Sequence, residues 1–92
     1  MAVRENLMWY PGKITNIIDD KYVVSRMEYL NKRQTNKFCQ PTPEIEKPYD
    51  RQDLLYKLDD PVSVSLGKRQ GYYTFLESDF NDASQVLAIV LR

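Results

Sequence analysis

Short runs of β-branched and aromatic residues, each ended by a turn signal, are what most restricts the folds open to this 92-residue chain. Such runs suit strands, whose side chains alternate between two faces, and they are too short for the 3.6-residue stripe of a long amphipathic helix. Residues 7–18 are rich in these types, and Ile14 alternates with polar neighbours as a half-buried strand does. Pro11 and Gly12 mark a bulge or an edge within that run. Asp19-Asp20-Lys21 is a polar turn, and Tyr22-Val23-Val24-Ser25 resumes the pattern, so residues 13–26 read as a hairpin with its tip at the two aspartates. Ser25-Arg26-Met27-Glu28 has the form of a helix capping box, but the surrounding β pattern favours a strand continuing to about Tyr29.

From Asn31 to Pro48 the chain turns to Asn, Lys, Arg, Gln, Thr and Pro, which reads as a loop or connector whose Pro-rich part, 41–48, crosses the surface. In the segment 49–58, Asp50 can cap and Asp53 falls at the third helical position, which predicts about two turns of helix. Val62-Ser63-Val64-Ser65-Leu66 alternates with period two, Gly67 and Gly71 bracket a hairpin loop, and Tyr72–Leu76 is the returning strand. The apolar run 85–91 reads as a last strand, buried on both faces. The fold expected is mainly β: a small, strongly bent barrel of five to six short strands with one short helix. A chain of this length makes a single domain, 1–92, with a first hairpin region at 7–29, a connector at 31–61 and a second hairpin plus last strand at 62–91. Three strands cannot close a barrel alone, so the two halves are expected to share one core built on Ile14, Val23, Val64, Phe75, Leu87 and Ile89.

Composition removes most catalytic chemistry. The chain has no histidine and one cysteine, Cys39, so Ser-His-Asp hydrolysis, Cys-His activation and His/Cys zinc sites lack their residues. Three glycines spell neither GxGxxG nor a phosphate loop. Asp19-Asp20 and Asp59-Asp60 read as turn formers, and Cys39 as an incidental loop residue. The expectation is therefore a protein that is not an enzyme and has no cofactor or metal. Thirteen basic and thirteen acidic residues cancel, leaving no global field toward nucleic acid or anionic lipid. The longest apolar run, 86–91, is far below a bilayer span, and no signal-like start is present, so an intracellular protein with no membrane partner is expected. Charge is uneven, however: Arg26, Lys32, Arg33 and Lys37 stand against Glu28 alone between 26 and 40, and Lys68 and Arg69 sit at the second hairpin tip. These six form a candidate nucleic-acid contact, whose binding would weaken steeply with salt.

Aromatic residues are 12% of the chain, and they carry a resemblance. Met8-Trp9-Tyr10-Pro11-Gly12-Lys13-Ile14-Thr15, then Asp19-Asp20-Lys21-Tyr22-Val23-Val24, then Glu28-Tyr29, resemble the Tudor and Agenet branch of the chromatin-reader family over residues 7–29. There an aromatic-aromatic-Pro/Ala-Gly/Ala strand is followed by a turn and a Lys-Tyr-x-Val strand ending in an acid and an aromatic. The resemblance implies an SH3-like, Tudor-like barrel that recognises a partner peptide, including one bearing a methylated lysine or arginine, in a nuclear setting. A methylated ammonium keeps its charge while losing donors and hydration, so aromatic faces beside a carboxylate select it by cation–π attraction. The residues implied are Trp9, Tyr10, Glu28 and Tyr29, with Tyr10 facing outward and Trp9 inward. Retroviral integrase C-terminal domains use the same kind of barrel to bind DNA, so the fold alone does not choose the partner. A structural or assembly subunit, with exposed aromatics as an oligomer interface, is the other class considered.

Overall fold

A computed structural model describes residues 1–31, 33–66 and 69–92, and the side chains of Ser65, Leu66, Arg69 and Gln70 also fall outside the description. Lys32, Lys68, the Arg69 side chain and the second hairpin tip therefore lie outside the described residues. Among the described residues nine strands and one α-helix follow in chain order: β1 (Ala2–Glu5), β2 (Met8–Ile18), β3 (Lys21–Arg26), β4 (Glu28–Tyr29), β5 (Phe38–Cys39), β6 (Ile45–Tyr49), β7 (Leu54–Tyr56), β8 (Val62–Leu66), β9 (Arg69–Thr74) and α1 (Glu77–Val90). They form a five-stranded antiparallel sheet of order β6-β3-β2-β1-β7 and a four-stranded one of order β4-β5-β9-β8. The molecule is thus mainly β with one helix, and the sheets stay open rather than closing into a barrel.

The hairpin tip forms as its residues require. Asp19 and Asp20 have φ of 50° and 63°, and a two-residue turn with both central residues in the left-handed region matches the twist of the flanking strands. The bulge falls between Ile14 and Asn16 rather than at Pro11-Gly12. Gly12 answers a different demand. A Cβ there would collide with Val24 Cγ1 and lie 2.9 Å from the Ser25 carbonyl oxygen, so only hydrogen fits between β2 and β3. Gly12→Ala is expected to destabilise by about 1–3 kcal/mol through overpacking, seen as a lower denaturation midpoint with unchanged slope.

The five-stranded sheet is bent by its connections. Across four strand spacings of about 4.8 Å, flat edge strands would stand roughly 19 Å apart. Yet the two edges, β6 and β7, are joined through one 3₁₀ turn at Arg51–Asp53, whose rise of about 2 Å per residue covers far less. The sheet therefore curls, and a small cluster of Val3, Val24 and Tyr49, flanked by Met1, Tyr10 and Leu54, fills the concave side. The other face carries the larger cluster: Ala2, Trp9, Phe38, Leu58, Phe75 and Ala83, with Phe80 and Leu87 of α1 packed against it.

Several sequence expectations are corrected. Of the two-turn helix expected over 49–58, a single 3₁₀ turn at Arg51–Asp53 forms. Asp50 makes no capping bond and instead pairs with Lys21, while Leu54–Tyr56 completes the sheet against Ala2 and Val3, so pairing overrides a weak helix signal. The expected last strand is the end of α1. A short apolar run cannot separate strand from helix, and the deciding signal lies upstream, where Phe80, Ala83, Ser84 and Leu87 form an i, i+3, i+4, i+7 stripe and Glu77 and Asp79 favour a helix N-terminus. The strand to Tyr29 is broken at Met27, whose N–H donates to the Pro11 carbonyl at 2.8 Å, and Glu28–Tyr29 joins the second sheet against Phe38 and Cys39. Within the Pro-rich stretch, residues 45–49 form an edge strand, the one place in a sheet that tolerates Pro48. Of the core expected, Phe75 is buried and Leu87 packs against the larger cluster. Ile14 and Ile89 are 37% and 61% exposed, the first beyond the reach of β1 and the second on the outer side of α1. Val23 and Val64 are half-buried and belong to neither cluster.

Candidate functional site

Because side chains alternate along β2, Trp9 and Tyr10 point to opposite faces of the sheet and enter different clusters. Trp9 is the inward one, 3% exposed, and its indole N–H donates to Ser84 Oγ of α1 at 3.1 Å. Its ring lies 5.5 Å from Phe80 and 5.9 Å from Phe38, centroid to centroid. Tyr10 is half-buried. Tyr29, delivered by the crossing at Met27, sits where both can be reached: its ring is 6.3 Å from Trp9 and 5.5 Å from Tyr10, and its hydroxyl donates to the Trp9 carbonyl at 2.7 Å. Burial, and then Tyr10, push the Tyr29 phenol well above its ordinary range. The structure therefore brings Trp9, Tyr10 and Tyr29 together, with Trp9 serving as core.

A cation already stands over Tyr10. The Arg26 guanidinium carbon lies 4.1 Å from the ring centroid, within cation–π range. Arg26 Nη1 donates to Glu5 Oε2 at 2.5 Å and Nη2 to Glu28 Oε1 at 3.5 Å. Glu5 also accepts from Lys47 Nζ at 2.9 Å and from the Tyr49 hydroxyl at 3.0 Å. The Arg26 side chain is only 9% exposed, and its Nε has no hydrogen-bond partner among the described residues. Burial alone would raise the Glu5 pKa, but the hydrogen bonds from Lys47 and Tyr49 and the charges of Arg26 and Lys47 bring it below the ordinary carboxylate value. Tyr49 is pushed up to about 12 by burial and by donating to Glu5. Glu5, Lys47 and Tyr49 are the members that sequence reasoning did not single out. The sequence carries no signal for them, because Ala2–Glu5 is short and reads apolar-apolar-polar-polar rather than alternating.

Of the six basic residues, only the side chains of Arg26, Arg33 and Lys37 are among those described. Arg26 faces inward into its ion pairs rather than outward. Lys37 lies 5.3 Å over the Tyr72 ring, and Arg33 is exposed in a turn closed by its N–H to Asn31 Oδ1 at 3.0 Å.

Beside Tyr29, on the Trp9 side, is a cleft of about 220 Å³ walled by Leu7, Met8, Trp9, Tyr29, Phe80 and Leu87. Gln34 and Ser84 supply its polar atoms, and Gln34 Nε2 donates to Met8 Sδ at 3.5 Å. A more polar hollow of about 340 Å³ lies between the half-buried Cys39, Thr42, Ser63, Tyr72 and Tyr73. No described helix is long and apolar enough to cross a membrane. Comparison of the chain with protein-family models, with curated proteins and with solved structures returns no match.

Proposed function

We propose that the chain is a non-catalytic binding module, Tudor-like in plan, that recognises a partner peptide at the corner where Trp9, Tyr10 and Tyr29 meet. One observation carries this reading: Tyr29 packs edge-on against both Trp9 and Tyr10, and with Trp9 it lines an open cleft of mixed polar and apolar surface that a partner side chain would fill. Aromatic walls give large contact area at low conformational cost, and Ser84 and Gln34 supply the few polar groups that orient a peptide. The curled five-strand sheet supports the same plan. On the opposite side of Tyr29, Tyr10 with Glu5 and Glu28 makes a seat for a cation. A methylated lysine or arginine of a partner would take that seat by displacing Arg26.

Titrating labelled protein with methylated and unmethylated basic peptides, read by NMR, tests this. Saturable shifts are expected at the Trp9 indole N–H and the Tyr29 and Ser84 amides, with the Arg26 side chain responding only to methylated peptides. No saturable shift at Trp9 or Tyr29 with any peptide would overturn the module, and equal affinity for both peptide classes would remove its methyl-cation form.

A further inference from the structure

The β2–β3 hairpin runs past the last residue that β1 pairs. At Gly12 the N–H donates to the Met1 carbonyl at 2.9 Å and the carbonyl accepts from the Met1 amino group at 3.0 Å, so Gly12 turns its backbone groups to the outer side of β2. Backbone direction alternates along a strand, so Ile14 turns the same way. Across the bulge the Ile17 amide donates to its neighbour Asn16 Oδ1 at 2.8 Å instead of to β3, which places Ile17 on the outer side too. Among the described residues nothing pairs with this edge from Lys13 to Ile18, and every residue from 13 to 21 is exposed. Ile17 and Ile18 are 61% and 52% exposed. An open, apolar strand edge is a template for another strand, and stable proteins cover such edges or pair them.

We propose that this edge pairs antiparallel, about a two-fold axis, with the same edge of a second copy of the chain. The outward residues set the register: Ile14 of each copy lies opposite Ile17 of the other, and Asn16 releases the Ile17 N–H to a carbonyl of the second strand. In that register Lys13 of each copy lies across from Ile18 and beside Asp19 and Asp20 of the other. The ion pairs among the described residues engage Lys21 with Asp50 and leave Lys13, Asp19 and Asp20 with none. The segment is thus complementary to itself in both apolar and charged positions, and each contact is made twice, as a two-fold interface requires. A slip by one residue turns the paired backbone groups away from each other, so the register is specific.

Sedimentation velocity of the full chain over about two decades of concentration is the test, with the weight-average mass expected to climb toward twice the monomer as mass action dictates. Ile17→Lys, at a solvent-exposed position, is expected to weaken the dimer by about tenfold or more while leaving the melt unchanged at concentrations where both chains are monomeric. Asp19→Asn with Asp20→Gly puts the best two-residue turn at the tip, so a purely structural effect would strengthen the hairpin. The proposal expects the opposite readout, a weaker dimer, because both acids are gone. A monomer at every concentration, or a dimer that both variants leave intact, would overturn the proposal.

Discussion

Replacing Glu5 by glutamine is expected to destabilise the fold by about 3 kcal/mol, far more than a change at a position of intermediate exposure ordinarily does. The cause lies in what is left behind. Arg26 is buried, and its shortest charge partner would be gone, with only the longer contact to Glu28 remaining. Lys47 and the Tyr49 hydroxyl would lose the same carboxylate. Acid should reproduce the effect in the native chain. The folded-state pKa of Glu5 is below its unfolded value, so its contribution is complete above the ordinary carboxylate pKa of about 4.3 and is lost as the pH falls through the folded value. Urea melts of both chains at neutral pH and at successive steps below about pH 4 should show the gap narrowing toward acid. A constant gap at all pH values would mean that the carboxylate is not what stabilises the native chain.

Phe38→Ala is the other large effect expected, about 3–5 kcal/mol from lost transfer energy and the cavity left behind. Phe38 is fully buried, and its ring lies 4.7 Å from Tyr29, 5.5 Å from Phe75, 5.9 Å from Trp9 and 6.3 Å from Phe80. It is therefore the residue through which the two sheets and α1 meet. Against a total stability of about 5–15 kcal/mol, the loss is about a fifth at the least and, at the low end of that range, nearly all of it. Ile14→Ala, at a position the sequence pattern marks as equally apolar, should cost well under a third of that, because Ile14 is 37% exposed. Comparable losses at Ile14 and Phe38 in denaturant melts would contradict this assignment of the core.

How much of this was legible follows from where the deciding interactions sit along the chain. The first hairpin was readable because everything that makes it is local: alternation on both strands and two aspartates able to take positive φ between them. β8 and the start of its return were readable for the same reason. The 49–58 segment keeps only one 3₁₀ turn of its helix signal because its structure is set at a distance, by β1 pairing with Leu54–Tyr56 and by Lys21 drawing away the cap candidate. The final helix carried its own stripe from Phe80 to Leu87, and the β-rich run after it masked the signal. At the site, alternation along β2 put Trp9 and Tyr10 on opposite faces without deciding which faces inward, and the approach of Tyr29 depends on the crossing at Met27, which no local signal marks. The seat of Arg26 was not legible. A run of basic residues on paper suggests solvent, and only the folding of β1 and β6 around β3 brings Glu5 and Lys47 to it.

Adjacent residues on one strand, Trp9 and Tyr10, each belong to a different cluster, which makes the first half of β2 a party wall between two cores. Neither core can open without moving that wall, so the amides paired between β1 and β2 are expected to exchange with solvent only when the whole molecule unfolds. In the monomer the far half of the same strand, beyond Gly12, has a neighbour on one side alone and is expected to open by local fraying. Hydrogen exchange of the monomer should therefore split this single strand of eleven residues into a slow half and a fast half, with the border at Gly12.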